Sequence, residues 1–389
     1  MKALRGWLLA WCCVAYPVAV SGDQVDDDLA SLLATGPEGR GSVEALAASR
    51  RLRQQGTEVL PRLLVAMDTP NVVAANWCRT VFDDIVLQEG AKANVAWPRD
   101  ALLAYVQDGH HAGPPRRLAL ALITRFDPEF AVRWLPTQLD DGEFRGDAVT
   151  AVLALGDSAA RARQNEAARE HFERAFLHAR DSDQVLLAAR KLRELGQNVD
   201  PIVHLGFVTR WFLCGPYEAP GTSGFDTPFP PEAVIDPRVP WPGKDATLPW
   251  KAHATTDALG QIDLIRAVAP TREAVAYACC ELRSPRQQQV QLRCSADDNL
   301  TVWINGDLVL ARRQWLNGTR LDRFRVPVTL RAGINRIVVK ICQGPQHVDP
   351  AVPNNWTFQL RFCDATGAGV PWELVRPTAE DLPRAEAAP

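Results

Sequence analysis

The sequence predicts a chain of two folded parts, an N-terminal α-solenoid of helix pairs and a C-terminal antiparallel β-sandwich. Three observations predict it. Over residues 26–198 apolar side chains recur at i, i+3, i+4 and i+7, the period of helices buried along one stripe. Over residues 295–341 they alternate with a period of two around turn residues, the pattern of strands buried on one face. Ahead of both, Lys2 and Arg5 precede an apolar run over 7–20 that ends in the small residues Ser21 and Gly22.

That leading stretch has the layout of a signal peptide, so residues 1–22 are set apart from the fold. The run is short for a membrane span, and nothing later reaches the ~18 apolar residues a span requires. Cys12 and Cys13 follow Leu9-Ala10-Trp11, a poor lipoprotein cleavage context. The expected location is periplasmic or extracellular, with no membrane span.

Residues 23–200 are the expected helical domain. Helices are predicted over 60–68, 72–85, 100–108, 115–126, 131–140, 145–155, 165–179 and 183–195, the last closed by Gly196 as a C-terminal cap. Asp68, Asp108 and Asp140 fall in the loops between the two helices of successive pairs, 40 and 32 residues apart, the period of a solenoid in which each pair buries its neighbour's apolar face. Arg79 and Arg117 sit in the helices that follow. This arrangement resembles HEAT repeats, which implies loop aspartates facing helix arginines. Leu155-Gly156, Ala168, Phe172 and Ala175 are similar in spacing to a tetratricopeptide helix pair. Such a stack offers a groove for a protein, or serves as a stalk.

Residues 201–376 are the expected sandwich. It opens with a proline- and glycine-dense loop, 215–250, which predicts no long regular element and a loop packed over a sheet face by Phe225, Phe229, Trp241 and Trp250. Leu300, Val302 and Ile304 alternate with Thr301 and Trp303, and Asn305-Gly306 supplies the two residues that accept positive φ in a type I′ hairpin. A second hairpin is predicted around 331–335, with Val326, Val328 and Leu330 before it and Ile337, Val339 and Ile341 after. Residues 377–389, rich in Ala, Pro and Glu, are expected to be disordered.

The residues Asp297, Asp298, Val302, Trp303, Asn305, Gly306, Leu330, Gly333, Asn335, Lys340, Trp356 and Phe358, with 211–216, Gly224-Phe225-Asp226 and Pro230-Pro231-Glu232 upstream, resemble the galactose-binding-like jelly-roll domain that precedes the catalytic barrel of family 2 glycoside hydrolases. The resemblance covers less than half the chain and implies a jelly roll. That fold hosts binders, spacers and enzyme-packing modules alike. The run Asp297-Asp298 followed by Asn305-Gly306 is also similar to lectins of the protective-antigen fold, in which an Asp pair holds calcium against a sugar.

Composition narrows the function. With 389 residues, 47% hydrophobic, 23% charged and a net charge of −3, the chain has no basic footprint for nucleic acid. The motifs of serine hydrolases, zinc proteases, P-loops and dinucleotide folds are absent. Glu232, Glu273, Glu281 and Glu373 are scattered, whereas a glycosidase needs two carboxylates across one bond; no catalytic residue is assigned. His110-His111 reads as a solvated loop pair, and His171 and His178 stand two turns apart on one helix, too far for one metal. Cys78, Cys214, Cys279, Cys280, Cys294, Cys342 and Cys363 are an odd set without zinc-ligand spacing; most read as small buried hydrophobes, with room for one disulfide in the β half.

Sugar recognition requires aromatic faces beside polar groups. Trp315 in the loop with Arg313 and Asn317 is the expected exposed platform, and Trp303, opposite the Leu300/Val302/Ile304 face, is the other ligand-binding candidate. Asp297, Asp298 and Asn299 could hold Ca²⁺ through oxygens, or form a turn whose carboxylates accept backbone N–H groups. The expectation is a non-catalytic exported protein recognising a glycan or an envelope protein. The alternatives are an assembly scaffold without a small ligand, or an accessory subunit of a glycoside-degrading complex.

Overall fold

The computed structural model describes residues 24–233, 239–242, 247–315, 318–349, 351–378 and 380–381. The leader expected at 1–22 lies outside them, as does most of the tail expected at 377–389. N-terminal helices are followed by C-terminal antiparallel sheets. Two compact units divide the chain, Met1–Trp134 with Asp141–Glu143, and Leu135–Asp140 with Phe144–Pro389.

The first unit holds α1 (Gln24–Leu33), α2 (Ser42–Gln54), α3 (Leu60–Ala66), α4 (Val72–Gly90), α5 (Arg99–Gln107), α6 (Gly113–Phe126) and α7 (Pro128–Trp134). Three of the starts have a plain local cause. Asn71 accepts the backbone N–H groups of Val73 and Ala74 to cap α4, and Pro61 and Pro128 occupy first-turn positions where no N–H is needed. α4 buries Ala74, Cys78, Val81, Phe82 and Ile85, a 3–4 spacing that turns one stripe inward. Neighbours pack as α1 on α2, α3 on α4 and α5 on α6.

Two expectations fail here. The helix expected over 131–140 ends at Trp134 and passes into a 3₁₀ turn, Leu135–Thr137, because Pro136 has no N–H and its ring clashes with the preceding turn. The expected aspartate–arginine ladder is shifted. Asp68 accepts from Tyr105 Oη (3.2 Å) and Ala112 N (2.8 Å) and lies 2.6 Å from His111 Nδ1. Arg79 meets Asp83 one turn on, and Arg117 binds Glu143. The buried pair is instead Arg116, 2% exposed, with Asp141 at 2.7 Å.

The second unit opens with α8 (Arg145–Arg161), α9 (Asn165–His178), α10 (Ser182–Glu194) and α11 (Pro201–Leu205). Gly156 lets α9 approach: a Cβ there would lie 2.5 Å from Phe172 Cε1. Then come β1 (Arg210–Glu218), α12 (Pro230–Ala233), β2 (Trp241–Pro242), β3 (Thr247–Leu248), β4 (Lys251–Ala254), β5 (Ile262–Asp263), α13 (Leu264–Ala267), β6 (Ala274–Ser284), β7 (Gln288–Ala296), β8 (Leu300–Ile304), β9 (Asp307–Arg312), β10 (Phe324–Leu330), β11 (Gly333–Gln343), β12 (Thr357–Cys363) and β13 (Glu373–Arg376).

One antiparallel sheet runs β4-β1-β6-β11-β8-β9, with β13 added to β6; a second runs β10-β7-β12-β5. Their facing sides share one core, with Ala276, Ala278, Val302, Ile337, Val339 and Ile341 from the first and Leu292, Cys294, Val328, Phe358, Leu360 and Phe362 from the second. The β8–β9 hairpin forms as expected, with positive φ at Asn305 (55°) and Gly306 (91°). The second expected hairpin does not form. β10 pairs β7 in one sheet while β11 pairs β6 and β8 in the other. The chain crosses between sheets at 331–333, where the fully buried Asn335 accepts from Arg331 N (2.9 Å) and donates to Arg331 O (2.8 Å).

The remaining cysteines of the sequence analysis are free and buried. The outer side of the four-stranded sheet carries a buried ionic triad. Arg361 Nε donates to Asp322 Oδ1 (2.7 Å), Arg293 Nη1 to Asp322 Oδ2 (2.8 Å), and Arg361 Nη1 to Leu205 O at the end of α11 (2.9 Å). Burial alone would raise the Asp322 carboxyl, but Arg361 and Arg293 hold it below its ordinary range.

Candidate functional site

The outer face of the seven-stranded sheet is where side chains with chemistry gather. Alternation sends every second residue of β6, β11 and β8 to this side, and the register sets them in rows. Tyr277 stands opposite Lys340 and Lys340 opposite Thr301; Cys279 opposite Val338 and Val338 opposite Trp303; Glu281 opposite Arg336. Asn305 ends the last row, donating its N–H to Arg336 O (2.8 Å) and accepting Arg336 N–H at Oδ1 (2.9 Å).

The proline-rich loop packs on this face. Phe225, Phe229 and Trp241 lie against a buried layer that includes Phe212, Tyr217, Trp250, Tyr277 and Val338. Its polar anchor is Lys340, 2% exposed near the centre of the sheet. The ammonium donates to Glu232 Oε1 (2.7 Å) and Thr227 O (2.7 Å), and sits 5.5 Å from the Phe229 ring centroid. Tyr277 Oη donates to the same Glu232 oxygen (2.5 Å). A cation this deep persists because its partners arrive with the loop.

Beside Pro231, Glu232 and Ala233 lies a groove of ≈ 510 Å³, within the usual range for ligand pockets of ~300–1,000 Å³. Glu232 forms one wall, Trp303 and Val338 the apolar lining, and Asn305, Glu281 and Arg336 the far end. Arg336 holds Glu281 Oε1 through Nε (3.0 Å) and Nη2 (2.7 Å). Glu232 and Glu281, scattered in the sequence, are thus brought to one groove, each bound to a cation. An aromatic wall flanked by charged and amide groups can take a polyhydroxylated ligand, its C–H surface against the indole and its hydroxyls on the polar ends.

The expected site residues do not all meet. Trp303 lines the groove half-buried. Trp315, the expected exposed platform, is half-buried and packed against the outer layer, where a Cβ on Gly344 would lie 2.7 Å from its ring. Arg313 is an exposed side chain that binds Asp226 and stacks 4.7 Å over Phe225, so it holds the loop. Asn317 lies outside the described residues. Glu232, Glu281, Arg336 and Asn305 were not picked from sequence as ligand-binding candidates. The signals they carry are the outward phase of the strand alternation for Glu281 and Arg336, the Asn-Gly turn for Asn305, and the Pro230-Pro231-Glu232 run for Glu232.

Asp297 and Asp298 line a separate cavity of ≈ 100 Å³ with Gln343 and Asn354. Asp297 Oδ2 accepts from Thr357 N (2.9 Å) and Thr357 Oγ1 (2.6 Å), and Asp298 Oδ2 accepts from Gly344 N (2.7 Å). These are the contacts of a turn. Among the described residues no group of three His, Cys, Asp or Glu side chains could hold a metal, yet Gln343 Oε1 is buried beside the pair without a donor. Among the described residues no helix is long and apolar enough to cross a membrane.

No protein-family model matches this chain, and no curated protein matches it. Among solved structures, 43% of the chain is similar to an anti-sigma factor domain-containing protein from Clostridium clariflavum, at 12% identity and a TM-score of 0.24. A beta-glucosidase from Kluyveromyces marxianus in complex with glucose matches 45% of this chain over 21% of its own, at 11% identity and a TM-score of 0.27. A PA14 sugar-binding domain from an RTX adhesin matches 26% of this chain over 50% of its own, at 19% identity and a TM-score of 0.17. The chain spans 45% and 42% of the two anti-sigma factor domain-containing proteins it resembles. These likenesses are partial, and the site is read from its own geometry.

Proposed function

We propose that the chain is an exported, non-catalytic binding protein that recognises carbohydrate in the Trp303 groove. One observation carries the reading: a half-buried tryptophan lines a ≈ 510 Å³ groove together with Glu232, Glu281, Arg336 and Asn305. Both carboxylates are committed to cations, Lys340 and Arg336, which suits holding a sugar better than cleaving one. Within this reading the facing sheets are a jelly roll and the helix pairs a HEAT- or tetratricopeptide-like array. A groove of ≈ 690 Å³ along α1 and α3, lined by Leu29, Leu33, Pro61 and Val65, supports a protein partner there. The expected setting is periplasmic or extracellular, facing glycans or envelope proteins.

A calcium ion at Asp297 and Asp298 is the second reading, favoured by the buried Gln343 Oε1 beside them. The test is a glycan-array screen of the full chain, in Ca²⁺ and in chelator, with reducing-sugar release followed in parallel. Retained binding in chelator without sugar release is expected. A silent array contradicts the carbohydrate reading, and sugar release contradicts the non-catalytic one. Binding abolished by chelator moves the ligand to the aspartate pair.

A further inference from the structure

The groove's carboxylates differ in how their two oxygens are used. Every donor that reaches Glu232 among the described residues lands on Oε1: Tyr277 Oη at 2.5 Å, Lys340 Nζ at 2.7 Å and Phe229 N at 3.4 Å. Both Arg336 bonds to Glu281 likewise land on Oε1. Oε2 of each glutamate therefore keeps its acceptor sites open among the described residues, while the side chain is fixed through its twin. Lys340 and Arg336 are four positions apart on β11, so the backbone positions whose cations hold the two carboxylates stand about 14 Å apart along the strand, at ~3.4 Å per residue. Trp303 lies one strand over, level with Val338 between them.

The balance of charge decides which sugar fits. Each glutamate is already matched by one cation, so the groove carries two open anionic oxygens and no net charge from these four groups. A hydroxyl donated to such an oxygen makes a charge-assisted hydrogen bond. A carboxylate or sulfate on the ligand would instead set anionic oxygens against these two acceptor oxygens, while Lys340 and Arg336 are already engaged through Oε1 of each glutamate. We infer that the groove selects uncharged sugar residues, with hydroxyls donated to Glu232 Oε2 and Glu281 Oε2 at its two ends, and excludes uronic and sulfated ones. The inference rests on the carbohydrate reading above and adds the chemical class of the ligand.

The test measures binding of the full chain to immobilised oligosaccharides ending in galactose or glucose, and to the same chains ending in glucuronic acid. The neutral ends are expected to bind at least tenfold more tightly. Glu281→Gln keeps the shape and removes the charge, and should shrink that preference severalfold without changing the thermal midpoint by more than a few degrees. Glucuronate ends binding as well as neutral ones, with Trp303→Ala abolishing both, would overturn the selectivity and leave the carbohydrate reading standing. A preference unchanged in Glu281→Gln would overturn the role given to that carboxylate. Binding to neither series would sink the carbohydrate reading, and this inference with it.

Discussion

Lys340 shows how a single buried charge positions the site. It lies under the loop that forms one groove wall, and its partner Glu232 is itself part of that wall. Glu232→Ala leaves the ammonium unpaired, at a cost of about 3–5 kcal/mol in denaturant unfolding if the loop stays closed. Adding Lys340→Met should recover much of that loss, because an apolar side chain of similar length suits the aromatic layer around it. A double variant no more stable than Glu232→Ala would contradict the pairing. The cysteines make the opposite case, since burial pushes the Cys279 and Cys342 thiols up to about 12. Native-state alkylation at pH 8 followed by mass mapping should leave both unmodified, and denaturant should expose them. Rapid native labelling of either would place them nearer solvent than described.

At the scale of elements, the Arg361–Asp322–Arg293 triad joins β7 and β12 to the carbonyl that ends α11. Asp322 titrates below its ordinary range in the folded chain. Its contribution is therefore complete above the unfolded value near ~3.9 and lost as pH falls through the lower folded value. The urea midpoint should drop on acidification below about pH 4, and Asp322→Asn should flatten that drop while lowering the midpoint at neutral pH. An unchanged acid slope in Asp322→Asn would assign acid lability to other carboxylates. Asn335 is as local a device as the triad is long-range. Asn335→Ala should cost about 1–3 kcal/mol by stripping partners from the buried sheet-to-sheet crossing, and an unshifted thermal midpoint would contradict it.

Local signals and pairing signals were legible to different degrees. Asn305-Gly306 could be read as a turn because both residues adopt positive φ by their own chemistry. The strands around 331–335 were equally plain as strands, yet their partners were not. Period two says which face is buried and not which strand lies alongside, and both faces of this crossing point into one core. Pro136 was a visible helix breaker that the apolar period outweighed.

At the scale of the whole chain, the proposed function uses one face of one sheet in the second unit. Phe225, Phe229 and Trp241 cover part of it, and the groove lies beside Pro231 and Glu232. Trp303 was legible as an outward residue from its phase in β8, but Glu232, Glu281 and Arg336 come from α12, β6 and β11. No spacing in the sequence joins them, because the register of the sheet does. Trp315 misled for the converse reason: a tryptophan in a polar loop looks exposed until the fold places a glycine, Gly344, against its ring.

The most direct test is glycan binding by full-length Trp303→Ala and Trp315→Ala beside the unaltered chain, on whichever oligosaccharide surface the unaltered chain binds best, with circular dichroism confirming the fold of each. Loss of at least tenfold in affinity for Trp303→Ala, about 1.4 kcal/mol or more, with Trp315→Ala within about twofold of the unaltered chain, is the predicted result. Full binding by a folded Trp303→Ala would contradict the groove as the ligand site.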